Sequence, residues 1–473
     1  MSVVAGDGHV DRSQPAPAGL PGVEDVSRPG PQAGRSGRPA LPKSSSQPVR
    51  VEGLWEQAFS RSNLTRALRR VERNAGAPGV DGVTVEQFRP WLNEHWGAVR
   101  EALDAGTYRP SPVRRVEIPK PDGGVRLLGV PTVLDRLVQQ AIAQVLEPIF
   151  DPVFSEHSYG FRPGRSAHQA VEQSRVWLQE GWRWVVDVDL EQFFDRVNHD
   201  KLMHRVARRV ADKRLLKLVR AYIEAGVMVE GVRQPTAEGT PQGSPLSPLL
   251  SNIMLDDLDT ELGCRGHRFV RYADDLRVFV RSERAAKRVL DGIVDVVEGR
   301  LKLKVNREKS SISTVMTAGL LGFGFYVAAG GKVGVRVHPK AWTRLKMRLR
   351  QLTRRNWGVS MEHRIAKLNR YIAGWCAYFT LADGRKRFEA IDEWLRRRLR
   401  AVRWKQWKRA RTRIRELRAL GMPPDAAYQW GMTSKGVWRL AGSAPLQRAM
   451  PNSYWDDLGL QGLAYHWHRR RGA

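Results

Sequence analysis

RFVRYADDLRVFV, residues 268–280, reads as a hairpin, begun at His267, whose two apolar arms meet at Ala273-Asp274-Asp275. Aspartate is an ordinary turn former, and taken alone the pair needs no further explanation. Adjacent carboxylates at a tight turn nevertheless repel each other unless a cation neutralises them. A second acidic site gives the pair weight. WVVDVD, residues 184–189, alternates as a strand and puts Asp187 and Asp189 on one face. LEQFFD follows directly, with Phe193 and Phe194 beside those carboxylates. Phosphoryl transfer assisted by two Mg²⁺ ions needs such oxygen ligands, brought together from separate strands. Spacing alone neither shows that the two strands meet nor separates Asp187 from Asp189.

Around this centre, residues 180–330 mix strands with helices, including one expected over Arg284 to Gly299. Upstream, Leu54 to Ala105 has a helical pattern broken by the loop GAPGVDGVT, residues 76–84. A basic strand, Val113 to Ile118, and a turn, Lys120 to Gly124, come next. After Pro131 a long helix is signalled, with Thr132 and Asp135 as a capping box and apolar residues on one face from Val133 to Ile149. Beyond about residue 335 the chain becomes helical and basic. Three amphipathic helices are marked by Trp342/Leu345/Leu349/Leu352, by Ile365/Leu368/Ile372/Trp375/Phe379, and by Ile391/Trp394/Leu395/Leu399/Val402. They predict a small bundle whose outer faces carry Arg396, Arg397, Arg398, Arg400, Arg403, Lys405, Lys408 and Arg409. Residues 1–50 hold eight Pro and seven Gly without apolar periodicity, and read as a disordered arm.

The charge balance narrows the partners. The 473 residues carry 79 Lys+Arg against 49 Asp+Glu, a net +30. Residues 331–473 alone hold 33 basic and 9 acidic residues, so the last third supplies +24 of it. Such a field binds polyanions. The basic residues form neither a juxtamembrane cluster nor one lone amphipathic helix, which favours nucleic acid over membrane. No run of some 18 apolar residues and no secretory signal is visible, so a cytoplasmic location is expected. Two distant cysteines, Cys264 and Cys376, exclude a zinc knuckle and are expected as buried thiols.

Seven stretches in order resemble the group II intron reverse transcriptase/maturase family. They are IPKPDGGVRLLGVPTVLDRLVQQA (118–141), SYGFRPGRSAHQA (158–170), DLEQFFDRVNHDKLM (189–203), GTPQGSPLSPLLSNIMLDDLD (239–259), RYADD (271–275), LKVNREKS (303–310) and LLGFGF (320–325). Further on, residues 370–400 and 433–450 are similar to the maturase-specific region. The resemblance implies an α/β right-hand polymerase followed by an all-α basic thumb. The divisions expected are an arm at 1–50, fingers and palm at 51–330, a thumb/maturase domain at 331–412, and a small basic, DNA-binding region at 413–473. No counterpart of the endonuclease domain carried by many family members is seen, so cleavage of a second target strand is not expected.

Carried over by position, the resemblance makes Asp189, Asp274 and Asp275 the carboxylates around two Mg²⁺ ions, and Asp187 a supporting residue. Phe194 matches the aromatic gate that excludes a ribose 2′-hydroxyl; its plain alternative is a core Phe like Phe193. Lys120 and Arg126 match the residues that hold the incoming triphosphate. Gln242 and Gly243 match the loop against nucleotide and template, and Asn306, Arg307 and Lys309 a later palm segment near the primer or triphosphate. Arg396, Arg397 and Arg400 become candidates for RNA contact, whereas the spacing of Trp375 and Trp394 favours core packing. The implied partners are group II intron RNA, an RNA template with its DNA primer, target DNA and dNTPs, with no membrane. Two other functions stay open: a splicing maturase that does not polymerise, and a free-standing reverse transcriptase in DNA repair or phage defence.

Overall fold

In a computed structural model, the structure describes residues 50–119, 125–229, 232–234 and 243–471. The expected arm therefore lies outside the described residues, save Arg50, as does the turn at 120–124. The strands in chain order are β1 (Val113–Pro119), β2 (Val125–Val130), β3 (Trp184–Val188), β4 (Val227–Val229), β5 (Val232–Gln234), β6 (Arg268–Tyr272), β7 (Asp275–Val280), β8 (Ser311–Thr314), β9 (Gly319–Leu320), β10 (Phe323–Val327) and β11 (Val333–Val337). They form three sheets, in the orders β2-β1-β4-β5, β6-β7-β3-β8 and β11-β10-β9.

The helices before the acidic hairpin are α1 (Leu54–Ala58), α2 (Arg61–Asn74), α3 (Val85–Asp104), α4 (Val133–Phe150), α5 (Ala167–Gln179), α6 (His199–Ala207), α7 (Lys213–Ile223) and α8 (Ser247–Cys264). The long helix expected after Pro131 is α4. Val133, Leu137, Val138, Ala141, Ile142 and Leu146 are all buried on it. Thr132 caps it by accepting the Asp135 amide at 3.0 Å. The capping box is incomplete, because the Asp135 carboxylate is turned inward to accept the hydroxyls of Thr132 at 2.6 Å and Tyr108 at 2.7 Å. Burial pushes the pKa of this carboxyl up. Where one helix was expected over 284–299, α9 (Glu283–Val294) gives way to a π-helical turn at Asp295–Leu301.

After β11 the chain is helical: α10 (Pro339–Leu352), α11 (Met361–Tyr378), α12 (Arg385–Gln406), α13 (Ala410–Ala419), α14 (Pro424–Gly431), α15 (Val437–Ala441), α16 (Ala444–Ala449), α17 (Asn452–Asp457) and α18 (Leu463–Arg471). The first three are the amphipathic helices read from the sequence. The last six pack back on them; Asp392 of α12, for instance, accepts the backbone amides of Leu463 and Ala464 at 2.8 and 2.9 Å, capping the start of α18. Cys376 is buried, as expected, but Cys264 is exposed at the end of α8, past the last residue its helix turns inward. Among the described residues no helix is long and apolar enough to cross a membrane.

Strand alternation gives the central sheet two unlike faces. On β3 and β7, Val186, Val188, Leu276, Val278 and Val280 are buried in one core with residues of α8 and α9. Val185 and Phe279 point the other way, into a second core with α5, α10, α11 and α12. That second core stops short of the carboxyl end of β3. The face there is left to polar side chains, and the sheet is open to solvent on that side.

Candidate active site

The register of β3 on β7 decides whether the two acidic sites meet. Asp187 is opposite Arg277 and Val188 is opposite Leu276. By strand alternation Asp189 follows Asp187 on the same face, and the charges of both Asp189 and Asp275 reach Asp187. Asp274 sits in the turn, which is shorter than the sequence suggests: Tyr272 pairs with Asp275, leaving Ala273-Asp274 as a two-residue loop. Ala273 adopts φ 59, a strained left-handed conformation for a residue with a Cβ.

Electrostatics report the crowding. Burial pushes the Asp187 carboxyl up to about 6, and the negative charges of Asp275 and Asp189 push the same way against Arg277 and Lys340. Arg277 forms an ion pair with Asp187 and lies 3.9 Å from Asp275. This guanidinium, which the sequence does not point to, gives Asp187 a protein cation. The hard oxygen donors of Asp189, Asp274 and Asp275 fit a divalent cation. As placed, no three His, Cys, Asp or Glu side chains among the described residues converge on one ion.

Two supports hold these groups. Asp189 is fixed through its backbone: its amide donates to Ser310 Oγ at 3.0 Å and its carbonyl accepts the Asn306 amide at 2.8 Å. The LKVNREKS segment thus acts on Asp189 through Ser310, a residue the sequence reading passed over. Beneath the hairpin, Arg271 is fully buried. Its guanidinium donates to both Asp259 oxygens at 2.8 and 2.5 Å, to Asn252 Oδ1 at 2.9 Å and to the Ala273 carbonyl at 2.9 Å. Asn252 in turn donates to the Gly160 carbonyl at 2.9 Å. Gly160 lies against the turn so closely that a Cβ there would stand 2.2 Å from the Ala273 nitrogen. A Gly160→Ala chain should therefore displace the turn carrying Asp274. Misplacement by about 1 Å can cost roughly 100-fold in rate, and a single-turnover measurement on the folded variant would reveal that loss. Native rates would show that the contact relaxes harmlessly.

The other residues named from the sequence fall into three groups. Lys120 and Gln242 lie outside the described residues, and Arg126 is placed only by its backbone on β2. Gly243 needs to be glycine: it has φ 108, and a Cβ would meet the Gly129 carbonyl at 3.1 Å. Lys309 is exposed, and its amide donates to Asn306 Oδ1 at 3.2 Å. Arg307 pairs with Glu298 at 3.1 Å. Phe194 is 8% exposed and meets Phe193 edge-on at 5.2 Å, so most of the ring belongs to the core.

On the helical region, Arg400 departs from the outer-face expectation. It is 7% exposed, and its Nε donates to the Ala441 carbonyl at 2.8 Å, because α15 covers that side of α12. Arg397 lies 4.2 Å over the Trp438 ring and donates to that residue's carbonyl at 3.0 Å. Arg396 lines an open pocket beside Arg397 and Arg400. Trp375 packs against Trp342 and Phe379 at 5.2 and 4.5 Å, as its spacing suggests. Trp394 is half-buried between Arg350 and Arg398.

The open face of the sheet continues into a cleft of about 860 Å³ that reaches the first thumb helices. Asp187, Asp275 and Arg277 lie on its sheet side; Lys340, Arg344 and Tyr371 line it from α10 and α11. Carboxylates on one wall and cations on the other suit a substrate whose phosphates track the basic wall while its reacting end meets the acidic one.

Comparison with known proteins agrees with this geometry. Residues 118–338 match the family described as reverse transcriptase (RNA-dependent DNA polymerase), and residues 342–421 match the group II intron maturase-specific domain. Protein YkfC of Escherichia coli (strain K12) is 36% identical over 307 residues, which cover 56% of this chain and 81% of that protein. The group II intron-encoded protein LtrA of Lactococcus lactis subsp. cremoris is 37% identical over 188 residues, 40% of this chain and 31% of that protein. Among solved structures, a chain of a partial Cas6-RT-Cas1–Cas2 complex is 26% identical with a TM-score of 0.33, covering 51% of this chain and 42% of that one, too loose a likeness to argue from. The β-sheet palm with its acidic hairpin and the helical maturase region that follows it place this chain in the group II intron reverse transcriptase/maturase family.

Proposed function

We propose that this protein is an RNA-directed DNA polymerase that also binds group II intron RNA and assists its splicing and mobility. Its substrates are an RNA template with a DNA primer, dNTPs and the target DNA, and it works in the cytoplasm. The observation that supports the reading is the meeting of the two acidic strands: the charges of Asp189 and Asp275 both act on Asp187, and Asp187 and Asp275 line a cleft whose far wall carries Lys340 and Arg344. Residues 51–330 serve as fingers and palm, 331–412 as thumb, and 413–473 as a basic region toward DNA.

Reverse transcriptases generally use divalent metal ions. Asp189, Asp274 and Asp275 would hold two Mg²⁺ ions, whose charge would lower the pKa of the primer 3′-hydroxyl and stabilise the transferring phosphate and the pyrophosphate leaving group. The chain itself does the positioning. Ser310 and Asn306 fix Asp189, Arg271 holds the turn of Asp274, and Arg277 takes up the charge of Asp187. Lys120, Arg126 and Lys309 bind the triphosphate; Gln242 and Gly243 face the nucleotide and template. Phe194 limits room for a 2′-hydroxyl. Lys340 and Arg344 follow the primer–template phosphates. The bond from the primer 3′-oxygen to the α-phosphorus forms as the bond to pyrophosphate breaks.

Primer extension on poly(rA)/oligo(dT) with dTTP tests this. Labelled product should appear with Mg²⁺, vanish when EDTA removes the metal, and return on adding Mg²⁺ back. The +24 charge of residues 331–473 favours one other reading, a splicing cofactor that binds intron RNA without polymerising. Folded protein that splices intron RNA yet extends no primer would establish that reading instead.

A further inference from the structure

A second group of cations gathers on the helical region, apart from the residues that line the palm cleft. Beyond the carboxyl end of α10, the chain turns through Arg354, Arg355 and Asn356 and faces Arg398 and Lys405 of α12. Together with Trp438 of α15 they line an open cavity of about 660 Å³ that contains four cations and no carboxylate. Arg398 is partly committed: its guanidinium donates to Thr353 Oγ1 at 2.5 Å and to the Arg350 carbonyl at 3.3 Å, closing the end of α10. Burial, with Arg350 and Arg355 nearby, holds that guanidinium below its usual pKa. The side chains of Arg354, Arg355 and Lys405 are exposed and make no ion pair among the described residues. Like charges gathered without counter-ions repel, and the arrangement is relieved when an anion enters.

Trp438 gives the cavity its second property. Trp438 is 43% exposed, unlike the tryptophans packed in the core. Arg397, which lines the neighbouring pocket, lies 4.2 Å over the ring. The guanidinium backs the ring and fixes its plane, an attraction of the cation–π kind. A flat aromatic surface beside free cations matches a nucleotide: a base for the ring and phosphates for the arginines and lysine. A base within a duplex shows only its edges in the grooves, whereas an unpaired one can be splayed out and stacked.

Resting on the reading that the helical region binds RNA, we propose that Trp438 is a stacking platform for one unpaired nucleotide of that RNA, whose flanking phosphates sit on Arg354, Arg355 and Lys405. The site joins the maturase-specific region to α15, which lies beyond the matched residues 342–421, so it adds one RNA contact to a region otherwise assigned to DNA.

The test uses the full chain and RNA carrying a single 5-iodouridine, first as an unstructured 12-mer and then within a blunt duplex. Photocrosslinking of the single strand should map to Trp438. Loss of one stacked base typically weakens binding by about 5- to 150-fold, so Trp438→Ala should weaken the 12-mer within that range, with Trp438→Phe retaining most of the affinity. Duplex affinity and primer extension on poly(rA)/oligo(dT) should not change in either variant. Equal losses on single strand and duplex, or crosslinks that map elsewhere with unchanged 12-mer affinity, would overturn the platform while leaving the polymerase reading intact. Wild-type protein that neither binds RNA nor extends a primer would overturn both.

Discussion

An Asp274→Ala chain should bind RNA as tightly as the native protein and extend primers at least about a thousandfold more slowly. The size follows from what the carboxylate does. Charge stabilisation at a metal-assisted phosphoryl transfer is worth several kcal/mol, and about 4 kcal/mol is a factor of roughly 1,000 in rate. Binding is spared because the cations of the cleft's other wall, Lys340 and Arg344, are left in place. Asp187→Asn makes the informative companion. Asp187 already has Arg277 as its cation, so its loss should act through orientation and cost about 10–100-fold. Comparable losses from both substitutions would mean that Asp187 is itself a ligand. An Asp274→Ala protein that extends primers normally would remove the metal site from the proposed mechanism.

That pair also marks where sequence reading stopped. Alternation placed Asp187 and Asp189 on one face but gave them equal standing, since nothing local separates two aspartates two residues apart; only the family resemblance told them apart. Across the sheet Asp187 meets Arg277, ninety residues further along the chain. Period and capping carried the strands, the hairpin and helices such as α4 and α10, because those signals sit within a few residues of one another. What α15 covers is a long-range fact. Arg396, Arg397 and Arg400 look alike on a helical wheel, yet Arg400 is buried under α15 and Arg397 is laid on Trp438. Phe194 shows the same limit, since gate and core are both open to a Phe at that spacing, and the residue is buried at 8% exposure. Gly160, within the quoted SYGFRPG stretch, could have been suspected from a glycine beside aromatics. Only its approach to Ala273 gives it a purpose.

Arg271 is the residue whose loss should cost the fold most. Its charge is compensated by one buried partner, Asp259, and the pair is wholly removed from water. Removing one member of such a pair strands the other and typically costs about 3–5 kcal/mol. Arg271→Met keeps much of the volume while deleting the charge, so the melting temperature should fall clearly, with Asp259 left unpaired beneath the palm. The double variant Arg271→Met/Asp259→Leu should regain much of that stability, because an apolar pair of similar size replaces the buried ions. Activity should not follow. The Ala273 carbonyl and Asn252 have lost their donor in both variants, so the strained turn that carries Asp274 stays unsupported. Stability recovered without DNA synthesis would assign Arg271 to positioning the turn. Recovery of both together would make it an ordinary core ion pair, and the hairpin would then hold its shape through the β6–β7 ladder alone.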